Sequence, residues 1–122
     1  MIKINPKIYI LDDDEAVGKA FSRLLRYAGY ETEVFTSARG FLASVPPETE
    51  GVLILDIRMP EMDGFQVQGR LNGLHSNLQI IFVTAHVQAG DRERAMEAGA
   101  KGFLQKPFDE ELLLDLISSL SA

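Results

Sequence analysis

The chain has no cysteine, which excludes disulfides and thiolate metal sites and allows a reducing compartment. It has no apolar stretch near the roughly twenty residues that cross a bilayer, and its N-terminus lacks the apolar core of a signal peptide. The expected location is therefore cytoplasmic, away from any membrane. Positive charge is also scarce: 12 Lys and Arg stand against 18 Asp and Glu, a net charge of -6. A phosphate-backbone binder needs concentrated positive charge to displace counterions, so direct nucleic acid binding by this chain is not expected. No internal repeat or low-complexity segment is present. What remains is 122 residues, 46% of them hydrophobic, enough to bury one core and too few for two. A single domain over residues 1–122 is expected.

The apolar residues fall into short runs that end in polar ones. Lys7 to Leu11 reads as a buried strand that stops at Asp12, Asp13 and Asp14. Ala16, Val17, Ala20, Phe21, Leu24, Leu25 and Ala28 then share one helical face, which Gly29 ends. Glu31 to Phe35 fits a second strand, Thr36-Ser37 an N-cap, and Phe41, Leu42 and Val45 the inward face of a second helix ended by Pro46-Pro47. Val52 to Leu55 is apolar on both faces, as a central parallel strand covered by helices requires, and Asp56 stands at its carboxyl end.

Asp63-Gly64 signals a turn before a helix over Phe65 to Leu74. Leu78 to Val83 is a further strand, delivering Thr84 at its end. The stretch Gln88 to Ala98 has a thin stripe of Ala89, Arg92, Ala95 and Met96, which predicts a helix held weakly to the core and able to shift. Gly102 to Leu104 is a fifth strand. Lys106 follows it, and Asp109 caps a last helix whose inward face is Leu113, Leu116, Ile117 and Leu120. Five strands alternating with five helices define an α/β fold, a parallel sheet with helices on both faces.

Every strand of a parallel sheet points the same way, and ligands bind outside the carboxyl ends. Asp12 and Asp13, Asp56, Thr84 and Lys106 therefore share one edge of the sheet. Taken singly, each has an ordinary explanation: helix-start acids, a strand-end threonine, a solvated lysine. Taken together, three carboxylates repel one another and require a cation. Lys106 and one Mg²⁺ balance their charge, and an all-oxygen donor set suits a hard ion that keeps waters and binds phosphate. A carboxylate attacking phosphorus gives an aspartyl phosphate, with cations steadying the charge on the transferred group.

The motifs Ile10-Leu11-Asp12-Asp13-Asp14, Leu55-Asp56-Ile57-Arg58-Met59-Pro60-Glu61-Met62-Asp63-Gly64, Val83-Thr84-Ala85 and Lys106-Pro107-Phe108 resemble those of the response-regulator receiver domains of two-component signalling, the CheY-like family. The resemblance runs from Lys7 to Leu120. It implies a flavodoxin-like (βα)5 sandwich with strand order 2-1-3-4-5. Asp56 would be the phosphoacceptor. Mg²⁺ (or Mn²⁺) would be bound by Asp13, Asp56 and the backbone carbonyl of Arg58, with Asp12 acting through a metal-bound water. Lys106 would pair with the phosphoryl group, and the Lys106-Pro107 bond would be cis.

Thr84 and Phe103 resemble the family's switch pair, although plain core packing explains Phe103 equally well. Arg58 and His86, each two residues beyond a site residue, are candidates for controlling water access, and an ordinary exposed role fits them as well. The implied activity is self-phosphorylation and self-dephosphorylation, without turnover of a substrate. The implied partners are a sensor histidine kinase and a LuxR-type DNA-binding output domain absent from this chain. A phosphorylation-dependent homodimer would place Leu112 and Leu114 at its contact.

Three rival readings meet specific obstacles or none. A haloacid-dehalogenase-type phosphatase needs a second Asp where Arg58 stands. A flavodoxin-like cofactor binder needs a phosphate-cradling loop after the first strand, where three acids stand instead. A receiver-shaped interaction module that is never phosphorylated shares every feature above.

Overall fold

The computed structural model describes residues 5–120. Five strands, β1 (Ile8–Leu11), β2 (Thr32–Phe35), β3 (Gly51–Leu55), β4 (Leu78–Thr84) and β5 (Gly102–Gln105), alternate with α1 (Glu15–Tyr27), α2 (Ala38–Ser44), α3 (Gly64–Gly73), α4 (Asp91–Glu97) and α5 (Glu110–Leu120). All pairings are parallel, in the order β2-β1-β3-β4-β5. This is the flavodoxin-like order expected above.

Period-two alternation divides the core into two layers. Tyr9, Leu11, Leu53, Leu55, Ile80 and Phe82 point to the side covered by α2, α3 and α4. Ile8, Ile10, Val52, Ile54, Ile81 and Val83 point to the side covered by α1 and α5, where they meet Phe21, Leu25, Leu113 and Ile117. Because both faces are covered, β1 and β3 read as continuous apolar runs and β4 as one interrupted by Gln79, and their apolar side chains are all buried.

The helix starts follow local chemistry. Asp14 caps α1, accepting hydrogen bonds from the backbone N–H groups of Ala16 and Val17. Ser37 caps α2, and Asp63 with Gln66 forms a reciprocal capping box on α3. The Asp109 side chain accepts from Glu111 N at 2.9 Å beside the start of α5.

Some expected faces are displaced. On α1, Ala16, Ala20 and Ala28 are exposed, while Gly18 and Ser22 are buried with Phe21 and Leu25. The small polar Ser22 is accommodated because its hydroxyl meets that of Thr32 at 2.6 Å. On α5, Leu112 is exposed, whereas Leu114 is half-buried and packs on the α1 and α5 side of the core. Leu114 therefore offers less free contact surface than Leu112.

Helix α4 departs furthest from the expected packing. Ala89 precedes the helix, Arg92 and Met96 are exposed, and only Ala95 of the expected stripe is buried. Polar ties replace the missing apolar ones. Gln68, itself buried, donates to the Ala95 carbonyl at 2.9 Å, and Asn72 donates to the Ala98 carbonyl at 2.9 Å. Arg92 donates to the Phe103 carbonyl at 3.2 Å, and the Arg94 guanidinium lies 4.1 Å from the centre of the Phe65 ring. The helix is thin in apolar contact yet attached to α3 and β5 at several points.

Candidate functional site

Register explains how the distant residues meet. Leu11 and Leu55 pair across β1 and β3, so Asp12 and Asp56 emerge side by side at the carboxyl edge, with Asp56 N donating to the Leu11 carbonyl at 3.1 Å. Thr84 pairs with Gln105 across β4 and β5, and Lys106 N donates to the Thr84 carbonyl at 2.8 Å. All strand ends face one crevice, as the parallel topology demands.

Carboxylate oxygens of Asp12, Asp13 and Asp56 lie within 4.8 Å of one another. Asp12 is buried, Asp56 half-buried and Asp13 exposed, so the cluster opens outward from a fixed inner member. One Asp12 oxygen accepts from Asp14 N at 2.9 Å, and the other receives Lys106 Nζ at 3.2 Å. Lys106 also lies 5.7 Å from the centre of the Phe21 ring, which in turn stacks on Phe108. Those contacts confine the lysine beside the cluster.

Asp56 carries the electrostatic tension of the site. Burial pushes its carboxyl above the ordinary carboxylate range, and the Asp12 charge adds to that push. A hydrogen bond with the Thr84 hydroxyl, the Lys106 charge and the Ile57 N–H, 2.9 Å from Asp56 Oδ1, act in the opposite direction. An anion held under such conditions gains from a nearby cation. Three oxygen donors at this spacing, with no nitrogen or sulfur among them, fit a hard divalent ion.

The loop after Asp56 is shaped by main-chain constraints. Gly64 N donates to the Ile57 carbonyl at 2.8 Å, and a Cβ at Gly64 would collide with the Asp56 carbonyl oxygen. Met62 N donates to the Pro60 carbonyl at 2.7 Å, closing a γ-turn with Glu61 at a φ of 67°. That conformation is rare for a residue with a Cβ. A cleft of about 220 Å³ lined by Asp13, Ser37, Arg39, Met59 and Glu61 adjoins the cluster on its α2 side.

The Lys106-Pro107 peptide is cis. Phe103 is buried and packs against Phe82, with ring centres 6.2 Å apart. His86 is exposed, and its backbone N–H donates to Thr84 Oγ1 at 3.4 Å. Arg58 is half-buried, and its guanidinium is engaged by Asp91 at 2.6 Å. Sequence reasoning did not single out Asp91. It looks like an ordinary first-turn acid, and no spacing links it to Arg58, 33 residues earlier.

A doubly wound parallel sheet with an acid cluster, a strand-end threonine and a lysine at its carboxyl edge defines a phosphorylation-switched receiver. Comparison with known proteins agrees: the family described as the response regulator receiver domain matches residues 8–118, and the chain belongs to it. It is 48% identical over 110 residues to the response regulator protein TodT of Pseudomonas putida, covering 90% of this chain and 48% of that protein. The transcriptional regulatory protein FixJ of Rhizobium meliloti is 35% identical over 114 residues, 93% of this chain and 56% of that protein. The solved structure of the response regulator StyR superposes with a TM-score of 0.87 at 43% identity, covering 95% of this chain and 59% of that one. The chain thus spans about half the length of the curated relatives it matches. Among the described residues no helix is long and apolar enough to cross a membrane.

Proposed function

We propose that Asp56 accepts a phosphoryl group from a phosphohistidine of a sensor histidine kinase, with Mg²⁺ (or Mn²⁺) held by Asp13, Asp56 and the backbone carbonyl of Arg58 and by Asp12 through a metal-bound water. The observation that carries this reading is the convergence of three carboxylates with Lys106 and Thr84 at one crevice. A carboxylate oxygen of Asp56 forms the new bond to phosphorus as the bond from phosphorus to the imidazole nitrogen breaks and the electron pair stays with the imidazole. A bound divalent ion supplies charge neutralisation at the phosphoryl oxygens. Lys106 leans from Asp12 towards the transferred group, and the Thr84 hydroxyl donates to one of its oxygens. Water later restores the carboxylate, so the chain modifies and resets itself without turning over a substrate.

The modification adds about one negative charge to Asp56. Drawing Thr84 towards that charge changes the contact between β4 and Phe103, and so the surface of α4, β5 and α5. In a longer protein this surface controls a LuxR-type DNA-binding output domain, in keeping with the name of the related transcriptional regulatory protein FixJ. It is also where a phosphorylation-dependent homodimer would form, with the exposed Leu112 at its contact. Cytoplasmic location accords with a kinase partner of this kind.

Incubation with Mg²⁺ and acetyl phosphate, followed by intact-mass measurement, tests the reading. One phosphoryl group should be gained and should disappear in Asp56→Asn. No gain, or a gain that survives the substitution, overturns it and favours an interaction module that is never phosphorylated.

A further inference from the structure

Arg58 presents an electrostatic puzzle. It lies two residues beyond Asp56, and its side chain is long enough to approach a cluster of three carboxylates for which Lys106 supplies the nearby cation. Attraction between opposite charges in a half-buried setting would draw the guanidinium there. Instead Nη2 donates to Asp91 Oδ2 at 2.6 Å, and among the described residues Asp91 is its carboxylate partner.

Asp91 is built to compete for it. The residue is 7% exposed in the first turn of α4, and the same Oδ2 atom accepts from Gln88 N at 2.8 Å. It is therefore a fixed acceptor in a low-dielectric position, which strengthens its hold on a cation. The hold is also incomplete. Arg58 Nε is buried without an acceptor, so the guanidinium is gripped through one nitrogen rather than by the paired bonds of a two-pronged contact. A donor left unspent inside the protein leaves the guanidinium able to take another partner.

We propose that Asp91 is a positioning residue: it holds the Arg58 guanidinium away from the acid cluster and so keeps the cluster open to a divalent cation and a phosphoryl group. This rests on reading Asp12, Asp13 and Asp56 as a Mg²⁺ site. Because Asp91 belongs to α4, the pair also ties the position of that helix to the charge of the site. A shift of α4 that breaks the pair releases a guanidinium towards the carboxylates. Reciprocally, whatever neutralises or extends the cluster's charge alters the hold on α4.

The test is a set of Mg²⁺ binding isotherms, followed by amide chemical shifts of the unphosphorylated chain, for the wild type, Asp91→Asn, Arg58→Ala and the double variant. Asparagine keeps an acceptor for Gln88 N while removing the charge, and Arg58→Ala keeps the main-chain carbonyl. Amide dispersion reports that each variant is folded. Asp91→Asn should bind Mg²⁺ about tenfold more weakly, the order expected when one cationic charge is freed near the ion. The double variant should return to within about twofold of Arg58→Ala, a rescue that additive structural damage does not produce. Unchanged affinity in Asp91→Asn, or a double variant as weak as Asp91→Asn, overturns the inference while leaving the metal site standing. A wild type with no saturable Mg²⁺ binding overturns the metal reading itself, and the inference with it.

Discussion

Lys106 Nζ meets Asp12 Oδ2 at 3.2 Å, across 94 residues of sequence, and joins the loop after β5 to the end of β1. The partners differ in exposure: the Asp12 side chain is 5% exposed and that of Lys106 22%. The buried carboxylate depends on the lysine, whereas the lysine retains access to solvent and to whatever enters the crevice. Before modification, then, Lys106 stands on Asp12, next to the group it is expected to serve.

Replacing Lys106 by Met keeps most of the side chain's bulk beside Phe21 and strands the Asp12 charge. Leaving a buried acceptor without its partner costs about 1–3 kcal/mol. Urea denaturation without metal should show a loss of that order, and 10 mM Mg²⁺, at about the upper end of ordinary working concentrations, should recover part of it by mass action. Equal stability of variant and wild type in metal-free buffer would show that water already screens Asp12.

The raised proton affinity of Asp56 sets a pH dependence. Its folded-state pKa lies above the unfolded value, so between the two the folded chain binds more protons. The associated stability is complete below the unfolded pKa and is lost as pH rises through the folded one. In metal-free buffer the thermal midpoint should fall over that acidic window in the wild type relative to Asp56→Asn. At neutral pH Asp56→Asn should melt higher. A pH profile identical in both proteins would refute the cause assigned here, burial beside Asp12.

Two glycines of α3 should behave oppositely. At Gly64 an added Cβ collides with the Asp56 carbonyl oxygen, so Gly64→Ala should cost about 1–3 kcal/mol, as other overpacked sites do, and slow labelling by acetyl phosphate. At Gly69 nothing lies within 4 Å of the added atom, and Gly69→Ala should gain about 0.5–1 kcal/mol from helix propensity alone. Chemical denaturation of both variants checks the contrast, and equal signs would contradict it.

The polar attachment of α4 can be cut singly. Gln68→Leu removes the donor to the Ala95 carbonyl while keeping a buried side chain of similar size. Hydrogen exchange of the α4 amides should quicken by about tenfold, the equivalent of one hydrogen bond of about 1.4 kcal/mol, while β3 amides keep their protection. Uniform acceleration across the sheet would mean that Gln68 supports the core rather than α4.

The sheet was legible because both of its faces are buried. Val52 to Leu55 is a continuous apolar run and Leu78 to Val83 is one interrupted only by Gln79, a composition that strands covered on both sides need. The caps were equally plain, since Asp14 and Ser37 are short polar residues placed just before a helical stripe. The packing of α4 was not legible. Its attachment depends on Gln68 and Asn72 of another helix and on Arg58 of a loop, and hydropathy periodicity carries no trace of a side chain that bonds to a distant carbonyl.

What the sequence determined by itself was the parallel architecture and the edge at which Asp12, Asp13, Asp56, Thr84 and Lys106 gather. Direction is common to all strands of a parallel sheet, so a residue's place at a strand end settles its edge without any knowledge of distance. Only the tertiary structure decided which charge stands on which: Lys106 on Asp12, and Arg58 on Asp91 instead of on the carboxylates beside it. Such pairings turn on strand register, on a loop bent through Glu61 at positive φ, and on where α4 lies against α3. Those are balances of attraction and burial across 33 and 94 residues, and no local pattern encodes them.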